Sequence, residues 1–470
     1  MLAVRLVLTD APELPGLHRD AITYAIAELA RRAGISAAHY DSWEIRFSGA
    51  AFVDVYLQPG TKKRIRFPRS SATRWREIRD GRFRTSQASW VSESKISRDE
   101  IPDFPIPFSS ADTTEVGPLF FRDAEDSFAC CVDLPLSTLL TLSRFEETLP
   151  GERDVHDRFS AFSSVAWRNG FLHRPVVDEY GLALEQVLLE LLPGWTPTKR
   201  ELRVKLSHDV DEIGIPFSLR GALARTLRDH QPLATMRDLL ACGFGTDTAY
   251  QFYLRKIVQL SMQNGIHSAV YWKSSKPGPF DTGYDLNELH LLRMIRELRS
   301  QGVELGVHPG YVSYQRFDVL RSEVQALREV LGEDDLGGRQ DYLRWSPQTW
   351  SDWDALGLAY DSSVGFADCV GFRAGTAIPF HPWLWKQQRK AKLVEIPLVA
   401  MDSTLLGYMR LSPPEIWRVL RELVNRCRTV GGVFTLAWHN TRILDRELAS
   451  TYQLFLDEVA GCPTLDWRTT

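Results

Sequence analysis

Between residues 202 and 439, short apolar runs alternate with longer stretches whose apolar residues recur every three or four positions. A short apolar run fits a buried strand, and the three-four spacing fits an amphipathic helix. The strand candidates are 202–206, 268–272, 303–307, 358–360, 393–399 and 432–438, with Gly337-Gly338 marking a further one. Helical spacing fills much of the intervening sequence, for example 286–300 and 319–330. About seven such β–α units predict a parallel barrel or a doubly wound sheet. Most runs lead into polar residues: His208-Asp209-Val210-Asp211, His308, Arg339-Gln340-Asp341-Tyr342, Asp361, Asp402 and His439. In a parallel barrel, reactive side chains sit where the strands end.

The pattern differs upstream. Strand candidates at 4–8, 52–57 and 128–132 mix with helical spacing at 20–33 and 176–191, which reads as α+β. The stretch 191–202, LLPGWTPTKREL, sets Pro, Gly and charges after an apolar helix and marks a boundary. The expectation is an α+β domain over 1–200 and a (β/α) barrel over 201–470.

Composition narrows the classes. The 470 residues are 44% hydrophobic and 25% charged, with a net charge of −4, which suits a globular chain with a sizeable core. No run approaches the roughly 18 apolar residues of a membrane span, and the N-terminus lacks the basic start of a signal peptide. Six cysteines without CxxC spacing read as free thiols of a reducing compartment, so a cytoplasmic location is expected. Walker A, complete GxGxxG, GxSxG and HExxH motifs are absent, and Gly243-Phe244-Gly245 stops short of a dinucleotide loop. Residues 62–84 hold ten Lys or Arg against Glu77 and Asp80. A solvated loop or sheet edge accounts for them, with peripheral contact with an anionic surface as the functional alternative. No nucleic-acid partner is expected.

Asp209 and Asp211 stand two apart in an extended segment and point to one side. Such a pair holds a metal or a shared proton, or else forms a turn that caps the next helix. His308 and His439, taken singly, fit either structural or ligand roles. Carboxylates and two histidines at the strand ends of one barrel supply the ingredients of metal-assisted hydrolysis.

The succession LSHDVD, GVHPGY, RQDYLRW, YDSSVGFADCVGFRAGT, EIPLVAMDSTL and GGVFTLAWHN resembles the polysaccharide deacetylase superfamily (NodB homology, carbohydrate esterase family 4), most of all its cytoplasmic "HDVD" branch. The upstream LSRFEE…DVHDRFS…GFLHRPVVDEY is similar to the N-terminal region of that branch. The resemblance spans roughly residues 130–445. It implies a distorted (β/α)7 barrel, a divalent metal (zinc, with cobalt, nickel or manganese as alternatives) and removal of acetyl groups from N-acetylated sugars in surface polysaccharide assembly. By resemblance, Asp209 is the general base, oriented by Arg339, and His439 the general acid. Asp211 and His308 are metal ligands. Asp341 stands where the branch has a histidine and can offer a carboxylate oxygen instead. Val312 stands where the wider family has a second histidine. Asp361 and His208 are supporting residues. Arg373, Tyr311 and Trp438 are candidates for binding substrate, Trp438 as an aromatic wall beside His439. Val312 and Asp341 also keep open a catalytically weakened barrel that binds a glycan or a protein partner.

Overall fold

The computed structural model describes residues 5–7, 17–36, 42–48, 51–58, 61–90, 103–213, 249–281 and 283–469. The outer residues of the first expected strand, Cys242 and the 243–245 glycine segment lie outside these residues. The architecture is mixed α/β.

The N-terminal part contains two sheets. Strands β1 (Arg5–Val7), β2 (Glu44–Ser48), β3 (Phe52–Tyr56) and β4 (Arg64–Pro68) form one side of the larger sheet. Strands β5 (Ser86–Ser89), β6 (Phe104–Ile106) and β7 (Glu115–Pro118) form the smaller one, in the order β6-β5-β7. Strands β8 (Phe120–Arg122) and β9 (Phe128–Cys130) complete the larger sheet, whose order is β1-β2-β3-β4-β9-β8. Helices α1 (Arg19–Arg32), α2 (Ala72–Arg79), α3 (Leu134–Leu142), α4 (Val165–Arg168) and α5 (Val176–Leu191) accompany these sheets. The α5 bounds match the helical spacing read from sequence. Gly181 permits close packing of α5 on α1, since a Cβ there would lie 2.4 Å from the Arg32 Cβ.

The C-terminal part is built on parallel strands. They are β10 (Arg203–Asp209), β11 (Ala269–Trp272), β12 (Glu304–Val307), β13 (Tyr360–Asp361), β16 (Val394–Glu395), β17 (Ala400–Met401) and β18 (Val433–Ala437), with β14 (Trp383–Leu384) and β15 (Arg389–Lys390) forming a small antiparallel pair. The order β12-β11-β10-β18-β17 is parallel throughout. Gly338 bridges Val307 to Asp361 and so joins the β13–β16 pair to this row. It lies so close to its neighbour that a Cβ would meet the Val307 carbonyl oxygen at 1.8 Å, which explains a glycine there. The segment 394–401 pairs at both ends of the row: Ile396 N–H donates to the Asp361 carbonyl at 2.8 Å, and Val399 N–H to that of Thr435 at 3.1 Å.

Helices α6 (Ala249–Gln263), α7 (Leu289–Ser300), α8 (Phe317–Leu331), α9 (Pro347–Ala355), α10 (Pro413–Val430) and α11 (Arg446–Glu458) connect or follow the strands. Helix α10 shows the local logic. Ser412 and Glu415 form a capping box, Pro413 starts the helix, and Gly431 ends it in the left-handed region. Ile416, Leu420, Leu423, Val424 and Cys427 lie along its buried side.

The largest cluster of buried apolar side chains contains residues from both sides of position 200. Two buried ionic networks also cross that position. Arg32 donates to Glu28 and, at 2.8 Å, to Asp178, while Asp178 accepts from Thr376 and from Ala377 N–H. Arg144 binds Glu146 and Glu147, each at 2.8 Å, and Glu147 binds Arg373 at 2.5 Å. Among the described residues, no helix is long and apolar enough to cross a membrane.

Candidate active site

The strand ends converge on a cleft of about 200 Å³ lined by Asp209, Asp211, His308, Arg339, Asp341 and His439, with Arg158, Tyr342 and Tyr408 among its other walls. A neighbouring cavity of about 480 Å³ shares Asp211, Ser403 and His439 and is also lined by Tyr250, Asn440 and Arg442. All six residues read from sequence as catalytic or metal-binding therefore come together.

Asp209 closes β10. Its Oδ1 accepts from Arg339 Nη1 at 2.8 Å, and both side chains are buried. The guanidinium is fixed by three further acceptors: Ser207 Oγ at 2.9 Å, the Ser362 carbonyl at 2.9 Å and Ser362 Oγ at 3.2 Å. Gln340, the next residue, donates its side-chain amide to the Pro309 and Gly310 carbonyls and so ties down the turn after His308. Asp361 supports this segment indirectly. It accepts from Ser363 N–H and Oγ, and Ser363 Oγ accepts from Gln340 N–H at 2.8 Å. Burial pushes the Asp361 carboxyl up to about 6.

Asp211, His308 and Asp341 bring one ligand atom each to within 4.8 Å of one another. His308 Nδ1 lies 2.7 Å from the Arg339 carbonyl, which only accepts, so Nδ1 carries a proton. Nε2 then faces Asp211 Oδ1 and Asp341 Oδ1, both at 3.3 Å. An imidazole nitrogen between two carboxylates requires a positive charge, either a second proton or a cation. Burial disfavours the imidazolium, but Asp209, Asp211 and Asp341 outweigh it and push the His308 pKa up to about 10. A carbonyl-anchored imidazole with two carboxylates is a donor set suited to a divalent ion. Tyr342 and Leu343, directly after Asp341, both have positive φ (56° and 52°). Non-glycine residues held there mark a backbone fixed by its surroundings.

His439 Nδ1 lies 2.6 Å from Asp402 Oδ1, and Arg442 Nε donates to Asp402 Oδ2 at 3.0 Å. His439 Nε2 is 3.3 Å from Asp211 Oδ2. Burial would lower the His439 pKa, but Asp402 and Asp211 prevail and hold it well above the usual imidazole range. Reciprocally, burial would raise Asp402, but His439 and Arg442 hold it down.

Other sequence candidates lie elsewhere. His208 is buried, with Nδ1 2.7 Å from the Trp438 carbonyl, and burial lowers its pKa to about 4. Trp438 is buried against Tyr452 with centroids 5.3 Å apart, so it does not form the wall expected beside His439. Arg373 is buried on Glu147, with its guanidinium 4.9 Å from the Trp345 and Phe366 ring centroids. That setting ties it to the N-terminal part and away from the cleft. Tyr311 lies on the rim, stacked on Phe280 at 4.4 Å, with His156 and Tyr342 beside it. Val312, in the same turn, is 51% exposed.

Two residues acquire places that sequence reasoning did not give them. Lys273, directly after β11, puts Nζ within 3.1 Å of Asp211 and 3.0 Å of Asp341; its position at a strand end was the available signal. Arg158, from the N-terminal part, donates to the Tyr342 carbonyl at 2.9 Å and to Tyr408 OH at 2.8 Å. No strand-end pattern points to Arg158. In the basic segment, Arg64 and Arg66 pair with Asp54, Arg64 also with Asp123 and Glu125, and Arg84 with Asp112. Acidic residues outside 62–84 thus neutralise part of its charge.

A model of a family of unknown function (DUF7033) matches residues 61–193. A search of the curated proteins finds no match. Similar solved structures include a candidate polysaccharide deacetylase from Mycobacterium smegmatis, at 18% identity over 57% of this chain and 87% of that one, with a TM-score of 0.38. Another is a candidate polysaccharide deacetylase involved in O-antigen biosynthesis from Bordetella bronchiseptica, at 14% identity over 55% and 89%, with a TM-score of 0.30. A third is the 4-alpha-glucanotransferase of Thermococcus litoralis, at 11% identity over 57% and 38%, with a TM-score of 0.33.

Proposed function

We propose that the cleft is the active site of a metal-dependent hydrolase that removes an acetyl group from an N-acetylated sugar, or from a lipid- or nucleotide-linked glycan precursor. The setting we propose is surface polysaccharide assembly in the cytoplasm. One observation carries the reading: an Arg-backed carboxylate, an Asp-His-Asp ligand set and an Asp-backed imidazole share one cleft. The motif order supports placement in the HDVD branch. The pairing of 394–401 at both ends of the parallel row supports a distorted (β/α)7 barrel.

Asp211, His308 through Nε2, and Asp341 would hold the ion. A bound zinc, cobalt, nickel or manganese ion supplies polarisation of the amide carbonyl and an acidified water. Asp209, fixed by Arg339, takes the proton of the attacking water as its oxygen bonds to the acetyl carbon. His439, held through Nδ1 by Asp402, gives a proton to the sugar nitrogen as the C–N bond breaks, leaving acetate and a free amine. Phe280, Tyr311 and Tyr342 on the rim offer aromatic surface to a sugar ring.

The test measures bound metal and acetate release from N-acetylated sugars, before and after chelation and reloading with each ion. About one ion per chain, lost together with activity in Asp211→Asn and His308→Ala, is the expected result. Lys273 favours a second reading, a binding protein without turnover, because its ammonium already neutralises two of the ligand carboxylates. Absence of both metal and acetate release, with glycan binding retained, would select that reading.

A further inference from the structure

Lys273 is buried, and its Nζ touches three carboxylates: Asp211 Oδ1 at 3.1 Å, Asp341 Oδ2 at 3.0 Å and Asp281 Oδ1 at 3.3 Å. The first two belong to the ligand set of the metal reading, on which this inference rests. Asp281 does not. It is buried, and its Oδ2 accepts from Tyr311 N–H at 2.9 Å, which fixes it beside the ligand set. The neighbouring charged or titratable groups are His308 and His439, both 3.3 Å from Asp211 oxygens, Glu323, whose Oε2 accepts from Gly310 N–H at 2.8 Å, and Tyr284, whose OH accepts from Lys273 N–H at 2.8 Å.

An ammonium and a divalent ion repel strongly at contact distance in a poorly solvated site, so Asp211 and Asp341 cannot serve both fully at once. We infer that Lys273 is a built-in competitor for the metal site, with Asp281 as the carboxylate onto which its ammonium retracts when the site is filled. The charges agree with this exchange. Three carboxylates are balanced by one ammonium and one divalent ion, with His308 neutral, so Lys273 stays charged and stays in place. Without the ion, Lys273 keeps the two ligand carboxylates from repelling each other.

The two partners then have opposite effects on affinity. Lys273→Met removes the competitor and should tighten Co²⁺ binding by about tenfold. Asp281→Asn removes the place of retreat, leaves the ammonium on Asp211 and Asp341, and should weaken binding by about tenfold. The experiment titrates the full chain and each variant with Co²⁺, reading heat by calorimetry and the visible absorption of the bound ion, with His308→Ala locating the site. Circular dichroism checks folding, and Asp281→Asn preserves side-chain size, so it reports even where Lys273→Met does not fold. Unchanged or weakened binding in Lys273→Met, or unchanged or tightened binding in Asp281→Asn, overturns the competitor role and leaves the metal site standing. Absence of Co²⁺ binding in the unsubstituted protein and in both variants, or full binding in His308→Ala, overturns the metal reading together with it.

Discussion

Two groups of buried charges in this chain are built on opposite lines. Where the N-terminal part meets the loop around 365–377, charges balance: Arg144 and Arg373 face Glu146 and Glu147, and buried Arg32, with Arg31 reaching in from the surface, faces Glu28 and Asp178. At the ligand end of the cleft they do not. Three carboxylates share the ammonium of Lys273, and a histidine nitrogen faces two of them. A balanced buried network serves to join parts of a structure, and its charges have no use for a further ion. An unbalanced one keeps affinity for a cation and perturbs the groups around it, which is how a site for chemistry differs from a joint.

The sharpest way to break this comparison is to substitute one group in the cleft without changing its size. Asp209→Asn keeps an acceptor for Arg339 but removes the proposed base, and should lower turnover by about 10³-fold with Co²⁺ affinity changed less than about threefold. Steady-state acetate release and calorimetry check both halves. Loss of metal together with turnover would move Asp209 from base to ligand, and unchanged turnover would remove it as base. At the joint the opposite pattern is expected. Arg373→Met leaves Glu147 buried with Arg144 as its main partner, and should cost about 3 kcal/mol of stability in denaturant unfolding. Turnover per folded molecule should not change, because Arg373 does not line the cleft.

The cleft half of this contrast was largely legible in the sequence, and the joint was not. Strand ends announce themselves through short apolar runs that stop at His or Asp, and the cleft collects Asp209, Asp211, His308, Asp341 and His439 by that geometry alone. Arg373 and Trp438 misled for a shared reason. A polar or aromatic residue beside a motif reads as functional, whereas tertiary packing turned both side chains into buried structure. Lys273 followed the strand-end rule, but a lysine after an apolar run is ordinarily solvated, and only the fold brings three carboxylates around it. The cleft-lining partners of Arg158, Tyr342 and Tyr408, lie 184 and 250 residues away, beyond the reach of any local pattern.

A smaller effect concerns acid stability at the joint. Burial would raise the Glu28 carboxyl, but Arg31 and Arg32 outweigh it and hold it at about 2, against an ordinary value of 4.5. The folded value lies below the unfolded one, so the stabilisation is complete above about pH 4.5 and is lost as pH falls toward 2. That depression is worth roughly 3 kcal/mol. Glu28→Gln should therefore flatten the fall in stability between about pH 4.5 and pH 2, and should lower stability at neutral pH. Denaturant unfolding at several pH values measures the slope; an unchanged slope would assign the acid sensitivity to other carboxylates.

The mildest effect is expected where the two regions meet, at Arg158. This residue belongs to the N-terminal part and pairs with Asp154 at 2.7 Å, yet it lines the cleft and holds Tyr342 and Tyr408 by their oxygens. Its donors are engaged by protein acceptors, so its place is to position the aromatic rim and not to take part in proton transfer. Arg158→Ala frees both tyrosines while leaving Asp209, His439 and the ligand set untouched. KM should rise by about fivefold with kcat nearly unchanged, the pattern of lost ground-state binding. A fall in kcat at constant KM would place Arg158 among the reacting groups and erase the division between joint and cleft at this point. Unchanged constants would sharpen that division, by showing that the N-terminal part supports the parallel strands without shaping what the cleft admits.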